Sequence, residues 1–348
     1  MTLFTVDFVQ RERDAVKKIL LIATGGTISS TEGEDGLAPS FDADQMLEMI
    51  PEIKEICEIS GKLIMNVDST NMDPDMMVTI AETVDEHYDD YDGFVITHGT
   101  DTMGYTSAVL TYILQNIKKP VVLTGSQVAI SAMYTDAKQN ITDAVRFATE
   151  GMPGVFVAFD GKIINGTRAK KVRSRSMDAF ESLNFPYVAQ IKLGRITFNQ
   201  EGCQMLQVDP TKPYEINTSL CKDVMVIKLF TGMKTDIFDF LKQNYSGVII
   251  ESFGIGGVPN KGINILAKVK ELIDAGVAVV ITTQCVEEGI DLGIYEVGKE
   301  LAKHPVIYAG DMNLEAIVAK LMWALGNFSN LDDIKFFIET PFFGDLNK

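Results

Sequence analysis

Paired cysteines and clustered histidines are missing from the sequence. Its four cysteines, Cys57, Cys203, Cys221 and Cys285, lie far apart without a CxxC pair, and the whole chain has three histidines. Metal sites and disulfide frameworks both depend on suitably spaced residues of these types. The sequence therefore predicts free thiols in a reducing compartment, and it offers little from which to build a metal site.

Positive charge and long apolar runs are also scarce. The 31 lysines and arginines are outnumbered by 48 aspartates and glutamates, and the net charge of −17 repels nucleic-acid phosphates and anionic membrane surfaces. No apolar run reaches the roughly 18 residues of a transmembrane helix. Charged residues from Asp7 to Asp14 interrupt the apolar core that a signal peptide needs. We therefore expect a cytoplasmic protein without nucleic-acid or membrane partners.

Strand and helix signals, by contrast, alternate along most of the chain. Helical spacing covers residues 105–117, 136–149, 264–275 and 314–325, and Asp73-Pro74 is typical of a helix cap followed by proline at the first helical position. Short apolar runs rich in β-branched residues begin at residues 19, 62, 93, 120, 154, 223, 247, 276 and 305. Continuous apolar strands between helices indicate an α/β fold with a mostly parallel sheet flanked by helices.

The length of 348 residues favours two domains. Residues 207–220 carry two prolines and neither periodicity, which makes them the best candidate for a linker. We divide the chain into an N-terminal extension at 1–17, a larger α/β domain at 18–206, a linker at 207–222 and a smaller α/β domain at 223–348. Five of the apolar runs precede the linker and four follow it.

Four polar segments follow the early apolar runs: TGGT at 24–27, DSTN at 68–71, THGTDT at 97–102 and TGSQ at 124–127. Ligands of parallel sheets bind beyond the carboxyl ends of the strands, so neighbouring strands would bring these segments into one crevice. Any single serine or threonine among them is also typical of a helix cap. The occurrence of four such segments together favours a binding site.

Thr27 has three possible roles at this point: a helix cap, part of a phosphate-binding loop, or a nucleophile. A phosphate loop is disfavoured, because TGGTIS lacks GxGxxG, and the glycines at 254, 256 and 257 lie before Pro259 as in a turn. A threonine nucleophile needs a nearby base or relay to activate it and hydrogen-bond donors to stabilise the oxyanion.

Taken together, TGGTI and THGTDT resemble the L-asparaginase family, specifically its bacterial cytosolic type. The resemblance continues through TGSQ, TTQC at 282–285 and GDMNLEA at 310–316, and it extends from Lys18 to about Phe343. It implies a larger N-terminal and a smaller C-terminal α/β domain, hydrolysis of L-asparagine to L-aspartate and ammonia, and no metal or organic cofactor. It also implies a homo-oligomer, a dimer or tetramer, in which a neighbouring subunit helps to build each site.

The resemblance assigns roles to individual residues. Thr27 matches the threonine that is acylated, on a mobile lid, and Thr100, Asp101 and Lys171 match the family's second threonine, aspartate and lysine. Ser69 matches the serine that holds the substrate α-carboxylate, Asp101 also faces the α-ammonium, and Ser126 matches the residue whose backbone carbonyl accepts the substrate amide. The implied substrate-binding residues are Asp68, Ser69, Thr70, Gly99, Thr100, Asp101 and Ser126.

The residue types fit an amino-acid substrate independently of the resemblance. A free amino acid carries opposite charges on one carbon, so its recognition needs hydroxyls or amides for the carboxylate and a separate carboxylate for the ammonium. Ser69 and Asp101 supply that pair. Lys171 could act as a general base or through its charge, since burial would favour the neutral amine and Asp101 the ammonium. Without the family match, Lys171 would be read as part of a solvated basic run.

Several positions depart from the family pattern. Many members carry a lid tyrosine about ten residues after the nucleophile, where this chain has Leu37; Tyr295, from the C-terminal domain, is the candidate replacement. Thr70 stands where periplasmic members have a longer amide side chain, which bears on selectivity between asparagine and glutamine. Some cytosolic members bind regulatory asparagine between subunits, and Lys170 and Glu251 replace a neutral and a basic residue there.

Two further residues have structural interpretations. His98 in its glycine turn and Cys285 after an apolar run are predicted to be a satisfied structural histidine and a small buried apolar residue. The alternative functions are a glutaminase-asparaginase, the archaeal subunit that supplies ammonia for tRNA-linked amidation, and a non-catalytic amino-acid-binding regulator. A regulator would not need Thr27, Thr100 and Lys171 together, so their joint presence favours an enzyme.

Overall fold

The structure is a computed structural model that describes residues 16–33, 36–39 and 41–347, with side chains described outside 31–40. Most of the predicted N-terminal extension and the side chain of Leu37 therefore lie outside the described part of the chain. The strands are β1 (Lys18–Gly25), β2 (Ser30–Gly33), β3 (Gly36–Pro39), β4 (Glu58–Val67), β5 (Gly93–Thr97), β6 (Leu114–Gln115), β7 (Pro120–Thr124), β8 (Gly154–Phe159), β9 (Lys162–Asn165), β10 (Ala169–Lys171), β11 (Phe180–Ser182), β12 (Ala189–Lys192), β13 (Arg195–Phe198), β14 (Glu215–Ile216), β15 (Val224–Lys228), β16 (Gly247–Ser252), β17 (Ala278–Thr283) and β18 (Ile307–Tyr308).

The α-helices range from 6 to 14 residues in length. They are α1 (Ala43–Glu48), α2 (Pro74–Glu86), α3 (Met103–Ile113), α4 (Ala137–Ala148), α5 (Gln200–Met205), α6 (Asp236–Asn244), α7 (Ile265–Asp274), α8 (Glu296–Leu301), α9 (Leu314–Asn327) and α10 (Leu331–Glu339). Short 3₁₀ turns lie at Thr27–Ser29, Pro51–Glu55 and Ser69–Asn71. Among the described helices, none is both long enough and apolar enough to cross a membrane.

The larger sheet has eight strands in the order β13-β12-β9-β8-β7-β5-β1-β4. Strands β4, β1, β5, β7 and β8 are parallel. Successive residues of β1 point to opposite faces, so Leu20 and Ile22 pack with α2 and α3, whereas Ile19 and Leu21 pack with α1 and α4. Helices therefore cover both faces, which explains why β1 is apolar without alternation.

One end of this sheet is antiparallel and consists of strands that the sequence analysis did not predict. Strand β9 is antiparallel to β8, β12 is antiparallel to β9, and β13 is antiparallel to β12. These strands are only four residues long, and β12 and β13 alternate buried or half-buried with exposed positions. At the other end, β4 is the edge strand and is only half-buried. Every one of the nine predicted apolar runs nevertheless forms a strand.

The smaller sheet consists of β15, β16, β17 and β18 in that order, all parallel. Helix α9 covers one face of this sheet and packs against α3 of the larger domain, so one apolar core contains residues of both domains. Helix α3 is buried at every position except Tyr105 because it lies between the larger sheet and α9. This packing brings the first turn of α9 close to the loop that ends at α3.

Two helices test the predicted boundaries. The side chain of Asp73 accepts a hydrogen bond from the backbone N–H of Met76, and Pro74 is the first residue of α2, which confirms the predicted cap. The helix predicted at 105–117 begins earlier and ends at Ile113, because the chain continues into β6 and pairs with β14. That pairing takes residues 114 and 115 out of the helix.

All four cysteines are free thiols, as predicted. The prediction that Cys285 is buried is wrong, because β17 ends at Thr283 and Cys285 lies exposed in the turn that follows. Burial raises the pKa of the Cys57 thiol to about 11.

Candidate active site

The sheet order places β4, β1, β5 and β7 side by side, so the four polar segments meet at one edge of the sheet. Their loops touch backbone to backbone. A Cβ added to Gly26 would lie 2.5 Å from the Cα of Gly99, and a Cβ added to Gly99 would lie 2.5 Å from Oγ of Ser69. Gly26 also has a φ of 83°, which favours glycine. These glycines let the Thr27 turn, the Thr100 loop and Ser69 approach one another.

Thr27 begins a 3₁₀ turn directly after β1 and is half-buried. The hydroxyls of Ser29 and Ser30 donate to the carbonyl of Gly26, at 3.2 and 2.8 Å. No hydrogen bond to a described residue engages the hydroxyl of Thr27, so it does not act as a helix cap here. The hairpin of β2 and β3 starts three residues later. Thr27 thus presents, at the base of a hairpin, a hydroxyl that no described residue engages.

Thr100, Asp101 and Lys171 form a compact group. The Nζ of Lys171 lies 2.7 Å from Oγ1 of Thr100 and 2.7 Å from Oδ1 of Asp101. Thr100 is only 6 % exposed, whereas the side chain of Asp101 is 56 % exposed. Lys171 comes from β10 and points into this site, so it does not belong to a solvated basic run. Lys171 thus joins the hydroxyl of Thr100 to the carboxylate of Asp101.

Gln127 joins this group, although the sequence analysis assigned it no role. The hydroxyl of Thr100 donates to Oε1 of Gln127 at 3.4 Å, and Nε2 of Gln127 donates to the carbonyl of Ser176 at 3.1 Å. Gln127 is the last residue of TGSQ, so its place in that motif was the available signal. Gln127 and Lys171 therefore both hold the hydroxyl of Thr100.

The start of α4 holds the TGSQ loop in place. The carboxylate of Asp136 accepts hydrogen bonds from the backbone N–H groups of Gln127 and Val128, and Nδ2 of Asn140 donates to the carbonyl of Gly125 at 2.9 Å. Asp136 and Asn140 are four residues apart and therefore share a helix face. Ser126 donates its hydroxyl to the carbonyl of Val128, and the substrate contact of its own carbonyl stays a prediction.

The DSTN segment forms the 3₁₀ turn at Ser69–Asn71. Oδ1 of Asp68 accepts from both the backbone N–H and the hydroxyl of Thr70, at 2.9 and 2.8 Å, so Asp68 stabilises the turn itself. Ser69 is 3 % exposed, and its carbonyl accepts a hydrogen bond from the hydroxyl of Thr102. The segment is thereby tied to the loop that carries Asp101.

His98 is fully buried beneath this loop. Its Nδ1 lies 2.7 Å from the carbonyl of Gly99, which can only accept, so Nδ1 carries the proton and Nε2 accepts from the hydroxyl of Thr106 at 2.9 Å. Burial lowers the pKa of His98 to about 4, which keeps the ring neutral. These contacts confirm the structural interpretation of His98.

We expect the folded protein to lose stability in acid because His98 is buried as a neutral ring. The lowered pKa, about 4 against 6.5 for a free side chain, means that the unfolded chain binds its proton first. The stabilisation by His98 is therefore complete above pH 6.5 and is lost as pH falls towards 4, a change of about 3 kcal/mol. Denaturant unfolding of the wild type and of His98→Gln at several pH values measures the difference between their free energies of unfolding. A stability difference that stays constant from pH 7 to pH 4 would contradict this expectation.

Tyr295 is not brought to Thr27 within one chain by any hydrogen bond between described residues. It lies at the N-cap of α8 and is 62 % exposed. Val286 and Ile294, which flank the same loop, are 61 and 59 % exposed. The loop before Tyr295 thus exposes apolar side chains together with the acidic Glu287, Glu288 and Asp291.

The chain matches two family models in succession: the N-terminal asparaginase domain over residues 18–204 and the glutaminase/asparaginase C-terminal domain over residues 223–337. The chain belongs to the asparaginase family. Its two α/β domains have the arrangement found in solved asparaginase structures, as the fold prediction required.

The relatives of this chain include both an L-asparaginase and a tRNA-dependent amidotransferase subunit. The L-asparaginase of Thermococcus kodakarensis is 38 % identical over 330 residues, which cover 94 % of this chain and 99 % of the relative. Its structure superposes with a TM-score of 0.90, covering 95 % of this chain and 99 % of that one. A glutamyl-tRNA(Gln) amidotransferase component from Pyrococcus abyssi is 34 % identical, covering 96 % of this chain and 78 % of the relative.

A bacterial asparaginase is less similar. The structure of L-asparaginase I from Vibrio cholerae is 28 % identical with a TM-score of 0.86, covering 96 % of this chain and all of that one. The archaeal asparaginase is more similar to this chain in both sequence and structure. The bacterial part of the predicted resemblance is therefore not supported, whereas the family itself is.

Proposed function

We propose that this protein hydrolyses L-asparagine to L-aspartate and ammonia, with Thr27 as the nucleophile. The observation that supports the proposal is the close approach of the Gly26 and Gly99 backbones, because Gly26 directly precedes Thr27 and Gly99 directly precedes Thr100, whose hydroxyl contacts Lys171. The relatives named asparaginase add weight to this choice of substrate.

The reaction proceeds in two balanced steps. The oxygen of Thr27 attacks the side-chain carbonyl of asparagine, the carbon–nitrogen bond breaks, and the Thr27 proton leaves with ammonia. Water then cleaves the acyl-threonine ester, which releases aspartate and restores the Thr27 hydroxyl. The ammonium of Lys171 stabilises the negative charge that develops on the threonine oxygens, and its contact with Thr100 fixes that hydroxyl. This electrostatic role fits the ion pair with Asp101.

Substrate recognition uses the opposite charges of the amino acid. The hydroxyl of Ser69 binds the α-carboxylate, the exposed carboxylate of Asp101 binds the α-ammonium, and the carbonyl of Ser126 accepts from the side-chain amide. Losing a hydrogen bond to a charged group costs about 1.5 to 3 kcal/mol, so this clamp rejects analogues that lack either charge. Thr70, held by Asp68, is the position whose side chain bears on the selectivity between asparagine and glutamine.

Release of ammonia and aspartate by the purified protein tests the proposal. We expect ammonia from asparagine without any added tRNA or protein, and parallel assays with glutamine define the selectivity. Ammonia only in the presence of a tRNA-dependent partner would favour the amidotransferase alternative, which the Pyrococcus abyssi relative supports. Binding of asparagine without any product would favour the regulator.

We also propose that the protein is a cytoplasmic homo-oligomer whose neighbouring subunit completes the site. The four free thiols fit a reducing compartment, and the exposed loop with Val286, Ile294 and Tyr295 fits a subunit contact. Light scattering on the purified protein measures the oligomeric state. A monomer with full activity would contradict the proposal.

Replacing Tyr295 by phenylalanine should lower kcat by about 100-fold, because Tyr295 of the same or a neighbouring subunit is proposed to donate to Thr27 in place of the missing lid tyrosine. The change removes one oxygen, so the fold and the subunit contact should survive. Steady-state kinetics with asparagine measures the effect. Tyr245→Phe, in the same domain beyond the end of α6, is the matched control and should leave kcat unchanged. A kcat of Tyr295→Phe within about threefold of wild type would remove Tyr295 from the mechanism.

A further inference from the structure

Strand β10 presents two lysines to opposite sides. Lys171 points to Thr100 and Asp101, whereas the Nζ of its neighbour Lys170 lies 2.6 Å from Oε1 of Glu315. Consecutive side chains of a strand alternate between its faces, so the two contacts act on one piece of backbone from opposite sides. A contact that holds Lys170 in place therefore also holds the backbone of Lys171, because the two residues are adjacent in β10.

Glu315 belongs to the first turn of α9, within the GDMNLEA segment whose function the active site did not account for. Its neighbour Asn313 is the N-cap of α9: its Oδ1 accepts from the backbone N–H of Ala316 at 2.8 Å, and its Nδ2 lies 3.4 Å from the carbonyl of Ala169. The first turn of α9 thus holds two successive residues of β10, Ala169 by its carbonyl and Lys170 by its ammonium.

The same turn contacts the second catalytic segment. A Cβ added to Gly104 would lie 2.9 Å from the carbonyl of Ala169 and 3.3 Å from Cγ of Glu315. Gly104 is in the first turn of α3, directly after the loop that carries Thr100 and Asp101. Glu315 therefore packs where the backbone of β10 and the start of α3 are closest.

The side chain of Glu315 is buried, so its charge needs a partner. The residue is 7 % exposed, and within the described part of the chain its Oε2 has no hydrogen-bond partner. A buried carboxylate is costly unless it is paired, so the contact with Lys170 is what compensates its charge. The two side chains consequently have little freedom to separate, and the strand that carries Lys170 is held in one position relative to α3.

We infer that Glu315 is a positioning residue: through Lys170 it sets the place of β10 and hence the distance from the Lys171 ammonium to Thr100. The inference rests on the proposed function for its effect on turnover. The geometry itself, a 2.7 Å contact between Nζ of Lys171 and Oγ1 of Thr100, is independent of the substrate. Glu315 lies behind β10 and does not touch the reacting atoms.

Glu315→Gln and Lys170→Met test the inference. Each should lower kcat by about 10- to 100-fold, because small misplacements of catalytic groups have effects of this size, while KM changes by less than about threefold since Ser69 and Asp101 remain. The double variant should be no slower than the slower single variant, because both changes break one contact. Lys222→Met is the matched control: it removes the exposed ion pair with Asp75, away from β10, and should leave kcat unchanged.

A structural measurement separates this inference from the proposed function. In a crystal structure of Glu315→Gln, we expect Nζ of Lys171 to lie beyond hydrogen-bond reach of Thr100, more than about 3.5 Å away. A retained contact would overturn the inference, as would a kcat within threefold of wild type or a loss of activity that Lys222→Met reproduces. If the wild type releases no ammonia from asparagine or glutamine, the proposed function fails, and the measured distance still decides the role of Glu315.

Discussion

Replacement of Thr27 by alanine should abolish turnover of asparagine while substrate still binds. The variant loses the oxygen that attacks the amide, so no acyl intermediate can form. Ser69 and Asp101, which bind the two charges of the substrate, are on other segments and remain in place. We expect kcat below about one per cent of wild type. We also expect a dissociation constant for asparagine, measured by calorimetry, within about threefold of the value for aspartate on the wild type.

Ser29→Ala is the matched control for Thr27→Ala. Ser29 belongs to the same 3₁₀ turn, and among the described residues its hydroxyl donates to the carbonyl of Gly26, at 3.2 Å. Removing that hydroxyl tests whether a small disturbance of the turn is enough to stop the reaction. We expect Ser29→Ala to keep at least a tenth of the wild-type kcat. If Thr27→Ala retained more than a few per cent of kcat, Thr27 would not be the nucleophile.

Much of the fold could be predicted because its signals are local. The apolar runs of the parallel strands are continuous, since helices cover both faces of the sheet, and the Asp73-Pro74 cap involves residues adjacent in sequence. The antiparallel strands β9, β12 and β13 could not be predicted, because they are short and partly polar and depend on successive pairing, β9 with β8, β12 with β9 and β13 with β12. The early end of α3 likewise depends on pairing between residues about a hundred positions apart.

The candidate site likewise has features that the sequence could predict and features that it could not. TGGT, DSTN, THGTDT and TGSQ could be placed at one edge because they follow strands that are neighbours in the sheet. The partners that hold the site lie outside these segments: Asp136, nine residues beyond Gln127, lies beneath the TGSQ loop, and Glu315, 145 residues beyond Lys170, lies behind β10. Their side-chain contacts leave no periodicity in the sequence. Tyr295 is proposed to reach Thr27 from the same or a neighbouring subunit, and no hydrogen bond between described residues joins the two within one chain.

Replacement of Thr100 by valine should lower kcat by about 100- to 10,000-fold, with a much smaller effect on KM. Valine keeps the shape of threonine but replaces the hydroxyl by a methyl group. Oγ1 of Thr100 accepts from Nζ of Lys171 at 2.7 Å and donates to Oε1 of Gln127 at 3.4 Å, and both contacts would be lost. Thr100 is 6 % exposed, so water cannot readily take the place of the hydroxyl.

The control for Thr100→Val is Thr111→Val, the same chemical change in α3, where the hydroxyl donates only to the carbonyl of Ser107 at 2.8 Å. This variant should keep kcat within about twofold, because Thr111 has no contact with the site. A loss of less than tenfold in Thr100→Val would show that Thr27 is activated without Thr100. Mass spectrometry of the wild type during turnover decides the order of the two threonines: we expect the aspartyl adduct on Thr27. An adduct on Thr100 would exchange their roles, since the hydroxyl held by Lys171 would then be the nucleophile and Thr27 its assistant.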